Sequence, residues 1–481
     1  MTPLYSQPLR GGYLAHPAKP AGPAITRRPA FYLTVIFVFV VYARFPEIMD
    51  MVTGYALHSA RIVMGLALLA TLLFGGELRA VFSKIGIGLF AFTLWLCVCV
   101  PFSVWRGGSV RMLRDFWALS LFSYVIVASS VQGLEQCRKI MYTLAAATVF
   151  IEVFTLVIGR AQGGRIALGF GRGILGNANY LALMLLMGLP FCLFVVRTKP
   201  GLPPLKFACL LMLFCIPVTI AATGSRGALV TLAIMFLLYF MPLPPSQKVV
   251  VGIVALILSV VAVVWSASAL DRFKTIFAAS TPVHLSESER SAVESMDIRK
   301  SLLLSSLQLT MRHPLLGVGP GMFAVANADF IEETTGRPDW NAWHETHNTF
   351  TQLSCEAGLP GLFLYCVTLL FCFKSLLSVE KRARQDPALS SIRHIAFALR
   401  LALIAFTGTA VFASNGYAYY FPMLAGLCVA VERASAAQCA SQMTAGSELP
   451  VTAPQPGWAP AHFQPGKPGG SRATAWRPPA R

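Results

Sequence analysis

Charge is scarce in this sequence. Only 12% of its 481 residues are charged, whereas 56% are hydrophobic, and the mean hydropathy is +0.63. A soluble domain of ordinary composition has about 25% charged residues. Apolar runs of roughly 20 residues, the length that crosses the hydrocarbon core of a bilayer, recur along the chain. The composition therefore argues against a soluble protein and predicts a polytopic membrane protein surrounded by lipid.

Acidic residues are the scarcer of the two charge types. The chain has 21 Asp and Glu against 39 Lys and Arg, which gives a net charge of +18. Such a balance can indicate nucleic-acid binding, but that function needs a basic domain that stands apart from the spans. Basic cytoplasmic loops are ordinary in membrane proteins. We therefore expect no nucleic-acid partner.

Several motifs that bind metals and cofactors are missing. The 11 cysteines form no CxxC pair, and most lie inside apolar runs, where cysteine acts as a small hydrophobic residue. The sequence has no Asp-x-Asp pair, which would hold a divalent ion in a nucleotide-sugar transferase, and no GK[ST] that would complete a P-loop. Residues Gly171–Gly176 match GxGxxG but join two apolar runs, whereas a dinucleotide site needs a strand and a helix. We expect neither a metal nor a cofactor.

Hydropathy predicts an all-α protein with about twelve transmembrane helices and one long polar loop. The predicted spans are 30–43, 59–75, 85–104, 115–132, 140–159, 178–196, 206–222, 227–241, 248–270, 359–379, 394–413 and 416–432. The chain then divides into a flexible tail (1–29), nine spans (30–270), the loop with its short helices (271–358), three spans (359–433) and a disordered tail (434–481).

The basic residues predict the orientation of these spans. Alternate loops of one face carry Arg197, Lys199 and Lys206 and then Lys374, Lys381, Arg382, Arg384 and Arg393. The positive-inside rule makes that face cytoplasmic, together with both tails. The long loop then faces outward, and it carries more acidic than basic residues.

Two shorter outward loops contain arginines that oppose this charge bias. Arg106 lies in the first, and Arg165 and Arg172 lie among glycines in the second. A single arginine at the membrane border can meet lipid phosphates, whereas several together also suit an anionic ligand, because the planar guanidinium donates paired hydrogen bonds. The backbone N–H groups before the helix that begins at Asn177 could bind phosphate as well.

Two further arginines interrupt apolar or helical segments. Arg226, in Gly224–Gly227, breaks an apolar stretch; it either snorkels to the interface or serves function, since arginine at the edge of the hydrocarbon is costly. Arg299 stands near the start of a predicted helix over 297–312, which the glycine-rich segment His313–Gly321 follows.

The histidines of the long loop are its most informative residues. His344 and His347 lie in the sequence HETHN, which is one residue short of the HExxH zinc motif. Two histidines three residues apart on a helix face could still share a metal. Alternatively, a neutral histidine near the membrane border could act as a general base, because its ordinary pKa near 6.5 suits taking a proton from a hydroxyl.

At this point the sequence resembles a known family. His347-Asn348, nine residues and then Gly358-Leu-Pro-Gly361 resemble the H-[NSQ]-x9-G-x-x-[GTY] signature of the O-antigen ligases and the related bacterial O-oligosaccharyltransferases. Arg226 in GSRG and Arg299 before HPLLGVGPGMF resemble the two essential arginines of the family. Arg172 with the asparagines of 176–179 is similar to an earlier arginine and asparagine turn. The resemblance covers about 160–376.

The resemblance implies a GT-C-like membrane glycosyltransferase of the bacterial inner membrane with its active face in the periplasm. Members transfer a glycan from an undecaprenyl-pyrophosphate carrier to an acceptor, without a metal and with inversion. By this resemblance, His347 is the base, and Arg226 and Arg299 are the catalytic arginines. The other residues expected to bind substrate are Arg172, Asn177, Arg106, His344 and Asn348.

Three functions remain open. A ligase would use lipid A–core as the acceptor, and a surface-polysaccharide polymerase would use the growing glycan, with the same donor chemistry. A transporter of lipid-linked glycans could also use outward arginines, but it needs no base on an outer loop. The histidine therefore favours the enzyme.

Overall fold

The computed structural model describes residues 28–55, 59–74, 81–162, 165–168, 174–198, 203–265, 287–338, 340–386 and 389–447. The first half contains α1 (Arg28–Tyr42), α2 (Phe45–Thr53), α3 (Ser59–Leu73), α4 (Lys84–Cys99), α5 (Arg106–Met112), α6 (Ala118–Ser130), α7 (Leu134–Ile158) and α8 (Ala178–Arg197). The second half contains α9 (Pro203–Ala222), α10 (Arg226–Phe240), α11 (Pro245–Trp265), α12 (Glu287–Arg312), α13 (Phe323–Thr335), α14 (Thr349–Gln385), α15 (Ser390–Ala410) and α16 (Tyr420–Ser447). Short 3-10 turns cover Val100–Phe102 and Trp340–Trp343, and a π-helical turn, Leu113–Trp117, joins α5 to α6.

The predicted all-α membrane fold is confirmed. Each of the predicted spans overlaps a described helix. Eight of these helices are long and apolar enough to cross a bilayer, and the bent pair α1–α2 makes up to nine. Helices α3 and α10 are apolar but shorter.

The first span is broken rather than straight. Helices α1 and α2 meet at an angle of 58°. Arg44, between them, has a left-handed backbone with φ 52°, which ends α1, and Pro46 starts α2, where its missing N–H costs nothing. This bend places Arg44 inside the protein rather than at the end of a simple span.

Helix α8 lies in the centre of the bundle. It packs against α7, α9 and α15, and 72% of its span is buried. Gly188 allows the close approach of α7, because a β-carbon there would lie 2.2 Å from Thr148 Oγ1. Helix α11 is the opposite case: none of its span is buried within the described protein, as expected for a helix whose apolar side chains face lipid.

The described part of the long loop is a small helical layer. Helix α12 begins at Glu287, well before the predicted start at 297. It packs against α13 and the first turns of α14 through one apolar cluster. The buried members are Leu302, Leu309, Val318, Met322, Phe323, Ala326 and Cys355. The loop is therefore held on the end of a spanning helix by its own core.

A short β-hairpin was not predicted. Arg160–Gln162 pairs antiparallel with Arg165–Ala167, with Arg160 opposite Ala167. Three-residue strands carry too little pattern for hydropathy to reveal them. The hairpin belongs to the loop that leads towards the N-terminus of α8.

The last helix extends past the boundary predicted at residue 433. It continues to Ser447, because the alanine-rich sequence from Ala434 favours a helix. The described residues up to Gln438 form one compact unit, and the rest of this helix, from Cys439, belongs to a second unit. The predicted tails otherwise lie outside the described residues.

Candidate active site

The histidine motif forms a turn that leads into α14. Asn348 is the N-cap of this helix, and its side-chain oxygen accepts hydrogen bonds from the backbone N–H groups of Phe350 and Thr351 at 2.8 and 3.1 Å. His347 has a left-handed backbone with φ 52°, a conformation that costs a non-glycine residue about 1–3 kcal/mol. The surrounding contacts must therefore stabilise it. The motif places a strained histidine directly before a capped helix.

Its environment keeps His347 neutral. The side chain is half-buried, and burial, the charge of Arg299 and the neighbouring His344 lower the pKa of His347 to about 4. All three causes oppose the protonated form. At neutral pH the imidazole therefore has a nitrogen available to accept a proton.

Two predicted arginines approach the same place from different elements. Arg299 lies on α12, close enough to His347 for its charge to act on the ring. Arg226 begins α10, and its guanidinium lies 3.9 Å from the sulfur of Met296, one turn before Arg299. The structure thus brings a histidine and two arginines to one end of the bundle, although they are far apart in the chain.

The glycines of the motif are explained by packing. Gly358 has φ 71° and breaks α14, and a β-carbon there would lie 1.9 Å from the carbonyl oxygen of Leu315. The next residue, Leu359, donates its N–H to the carbonyl of Pro314 at 2.8 Å. At Gly361 a β-carbon would lie 2.6 Å from that of Ala357 and 3.2 Å from the Trp95 indole. Larger residues would push the loop off the helix.

The segment His313–Gly321 enters this break in α14. The N–H groups of Val318 and Gly319 donate to the carbonyls of Cys355 and Glu356 at 2.7 and 3.0 Å. The two glycine-containing stretches of the sequence, HPLLGVGPG and GLPG, are therefore two sides of one backbone contact. This contact fixes α12, and with it Arg299, relative to His347.

The sequence matches the model of a known family over this region. Residues 207–366 match the family described as O-antigen ligase. Over this part, about a third of its length, the chain is similar to the O-antigen ligases. The resemblance predicted from the histidine motif is thereby confirmed. A search of curated proteins found no match.

Four of the predicted site residues lie within the O-antigen ligase segment near His347, and the others lie outside it. Arg226, Arg299, His344 and Asn348 are inside the match, whereas Arg106, Arg172 and Asn177 precede it. His344 is exposed and lies close enough to influence His347. Arg106 starts the short helix α5 and is exposed. Arg172 is outside the described residues.

Asn177 has a structural contact of its own. Its side chain caps α8 by accepting from the N–H of Asn179 at 2.9 Å. Arg165 then connects this helix start to the Arg226 region, because its guanidinium donates to Asn179 Oδ1 at 2.7 Å and to the carbonyl of Thr223 at 2.8 Å. Arg165 was named in the sequence only as one of several loop arginines. The structure shows it joining two elements beside the candidate site.

Glu356 was missed by the sequence analysis. It is 3% exposed, and its carboxylate accepts from the N–H groups of Gly321 and Phe323 at 3.0 and 3.1 Å. It therefore caps α13 from within α14. The sequence signal that could have identified Glu356 is a charged residue two positions before Gly358, the first glycine of the motif.

The geometry bears on the alternative metal interpretation. His344 and His347 lie in a turn before α14, not on one face of a helix as the shared-metal hypothesis required. Among the described residues, no three His, Cys, Asp or Glu side chains are grouped as metal ligands. Metal-independent chemistry stays a prediction.

Proposed function

We propose that this protein transfers a glycan from an undecaprenyl-pyrophosphate carrier to an acceptor hydroxyl at the periplasmic face of the bacterial inner membrane. The observation that carries the proposal is the neutral His347 beside Arg299, within a segment of the O-antigen ligase family. A base that stays unprotonated at neutral pH and a fixed cation next to it are the two groups that this reaction needs.

The steps follow from these positions. His347 takes the proton of the acceptor hydroxyl, and the oxygen attacks the anomeric carbon of the donor sugar. The bond between that carbon and the phosphate oxygen breaks, and the lipid pyrophosphate leaves with the electron pair. Arg299 and Arg226 stabilise the negative charge that develops on it. Attack opposite the leaving group inverts the anomeric carbon, and no step uses a metal.

The other predicted residues have supporting tasks in this proposal. Asn348 holds the turn by capping α14, and His344 tunes or assists His347. Arg106, Arg172 and Asn177 are proposed to meet the pyrophosphate from the shorter loops. Apolar side chains between the helices would hold the polyprenyl tail.

The preferred acceptor is lipid A–core, which makes the protein a ligase. A polymerase that extends the glycan is the second candidate, since it uses the same donor and the same base. A transporter of lipid-linked glycans is favoured less, because a neutral histidine beside an arginine has no task in moving an unreacted lipid.

Transfer by purified protein in lipid vesicles tests the proposal. The wild type is expected to move glycan from a lipid-pyrophosphate donor to an acceptor, and His347→Ala is expected to lose this activity by about 10²–10⁴-fold. His394→Ala is the matched control, because His394 lies near the start of α15, close enough to Arg197 to feel its charge, at the other end of the bundle. Normal transfer by His347→Ala would contradict the assignment.

Deletion of the gene separates the two acceptors. Loss of attachment with long glycan chains retained indicates a ligase. Single repeat units on the acceptor indicate a polymerase.

A further inference from the structure

A cavity lies directly beside the histidine turn. Its volume is about 290 Å³, and Glu345 and Thr346, the two residues before His347, form part of its wall. Tyr180 of α8 and the loop between α15 and α16 close other sides. The volume is near the lower end of small-molecule sites, which is roughly 300 Å³. One sugar ring is therefore a suitable occupant, and a long oligosaccharide is not.

The cavity is lined by polar groups that are not all used within the protein. Asn415 is 1% exposed, and its amide nitrogen has no hydrogen-bond partner among the described residues. A buried amide without a partner is unfavourable, so such a group indicates a ligand or water that binds there. The Tyr180 hydroxyl donates to Glu345 Oε2 at 2.9 Å and lies 3.2 Å from the carbonyl of Ser414. These groups present both donors and acceptors, as sugar hydroxyls require.

The remaining walls are largely aromatic. Phe116, Tyr180, Tyr417 and Tyr420 all line the cavity. Aromatic walls with a few placed polar groups are the usual composition of a site that binds a small molecule. They offer apolar surface to the C–H face of a sugar ring, while the polar groups meet its hydroxyls at the rim.

The charges in the wall disfavour an anionic ligand. Arg44 reaches the cavity, but its guanidinium already lies 3.5 Å from the Glu47 carboxylate and donates to the Tyr420 hydroxyl at 3.0 Å. Glu345 and Glu356 contribute carboxylates to the wall. Burial raises the pKa of both groups, to about 7 for Glu356. Among the described lining residues Arg44 is the one cation, and it is already paired with Glu47, so a sugar carboxylate or phosphate would meet no uncommitted positive charge, which a neutral sugar does not need.

The position of the cavity relative to the two arginines indicates which substrate binds in it. Of the described residues that line it, none is Arg226 or Arg299, which take the donor pyrophosphate in the proposed function. His347 is not a lining residue either; the wall is connected to it through the adjoining residues Glu345 and Thr346. We propose that this cavity binds a neutral sugar unit of the acceptor and presents its hydroxyl to His347, an inference that rests on the proposed function.

Sugar binding without turnover is the first test. Saturation-transfer NMR on the purified full chain in lipid nanodiscs would use glucose, N-acetylglucosamine and glucuronate as probes. The two neutral sugars are expected to show signals that Tyr180→Phe and Asn415→Ala weaken, with a weaker signal for glucuronate. His347→Ala should keep the neutral-sugar signals. Absence of neutral-sugar signals in the wild type, or signals that both cavity variants leave unchanged, would overturn the proposal.

Steady-state kinetics then separate the acceptor from the donor. Each cavity variant is expected to raise KM for the acceptor roughly threefold to tenfold, the effect of one lost hydrogen bond, with KM for the donor unchanged. Tyr365→Phe is the control, because it removes a buried tyrosine hydroxyl at a residue that is not part of the cavity wall. A rise in donor KM instead would show that the cavity holds the donor sugar and would overturn the assignment.

The two tests distinguish failure of this inference from failure of the proposed function. Sugar binding needs no donor and no catalysis, so it can succeed in a protein that transfers nothing. Conversely, normal transfer with unchanged acceptor KM in both variants would reject the cavity alone and leave the proposed function standing.

Discussion

The backbone of Gly358 lies against the backbone of Leu315, so close that a β-carbon on the glycine would be 1.9 Å from the leucine carbonyl oxygen. This relationship joins the glycine-rich segment of the loop to the broken helix α14. It also sets where Arg299 and His347 stand, because the first is on the helix before that segment and the second precedes α14. Several measurable consequences come from this arrangement.

The first prediction concerns Gly358. Gly358→Ala should destabilise the folded protein by more than about 3 kcal/mol, since it adds both a left-handed backbone penalty and an overlap with backbone atoms. Gly336→Ala is the control: Gly336 has φ 68°, but nothing lies within 4 Å of its β-carbon position, so it should cost only about 1 kcal/mol. Thermal unfolding in detergent compares them, and equal losses would show that the close contact is unimportant.

The second prediction concerns pH. Because the pKa of His347 is lowered to about 4, the neutral base is fully present above that value and is lost only as the pH falls through it. Transfer measured as kcat/KM for the acceptor should therefore be flat between about pH 5.5 and 7.5. An inflection near 6.5, the ordinary histidine value, would mean that Arg299 and burial do not act on this ring as described.

The third prediction concerns the geometry of Arg299. Arg299→Lys keeps the charge but loses the planar fork, so kcat/KM should fall at least about tenfold, or about 1.4 kcal/mol. Arg312→Lys, at the other end of α12, should leave transfer unchanged, because Arg312 is exposed and pairs with Glu333 at 2.8 Å. Full activity of Arg299→Lys would reduce its role to nonspecific charge.

The fourth prediction concerns the cap of α13. Glu356→Ala leaves the N–H groups of Gly321 and Phe323 without their acceptor, which should cost about 2–3 kcal/mol of folding free energy. Glu333→Ala, which removes an exposed carboxylate of the same loop layer, should change stability by less than about 1 kcal/mol. Unfolding midpoints measure both, and a neutral Glu356→Ala would show that water replaces the cap.

The fifth prediction concerns metals. Transfer should persist after treatment with EDTA, because the proposed mechanism assigns the leaving group to arginines. Strict dependence on added zinc would return His344 and His347 to the role of ligands.

The sequence predicted the membrane fold well because hydropathy over roughly 20 residues is a strong local signal. It also singled out His347, Arg226 and Arg299 as candidate site residues, through a motif and two interrupted runs; their roles stay predictions. It did not predict the bend at Arg44, since one left-handed residue leaves little trace in hydropathy. The hairpin that begins at Arg160 was not predicted either, because its three-residue strands leave little trace in hydropathy.

Other features depend on contacts between distant parts of the chain. Glu356 looked like an ordinary helical residue, and only folding brings it to Gly321 and Phe323. The cavity combines Tyr180 with Glu345 and Asn415, from three separate elements, so no spacing in the sequence reveals it. Conversely, the predicted role of Arg106 came from its position in an outward loop, and that of Asn177 from a helix start and the resemblance. The structure adds for Asn177 a capping contact that the sequence pattern did not require.

The break in α14 has a further consequence under the proposed function, in which the donor substrate is anchored in lipid. Thr349, after the capped turn, starts a helix whose later part crosses the membrane, so His347 lies at the outer end of this helix. The part of the helix from Thr349 to Gly358 is roughly 14 Å long at the rise per residue of an α-helix. At Gly358 this part of the helix contacts the loop residues Pro314 and Leu315. The distance of His347 from this contact is thereby set by the chain itself, and under the proposed function it would favour lipid carriers whose phosphate and first sugar lie at a matching distance.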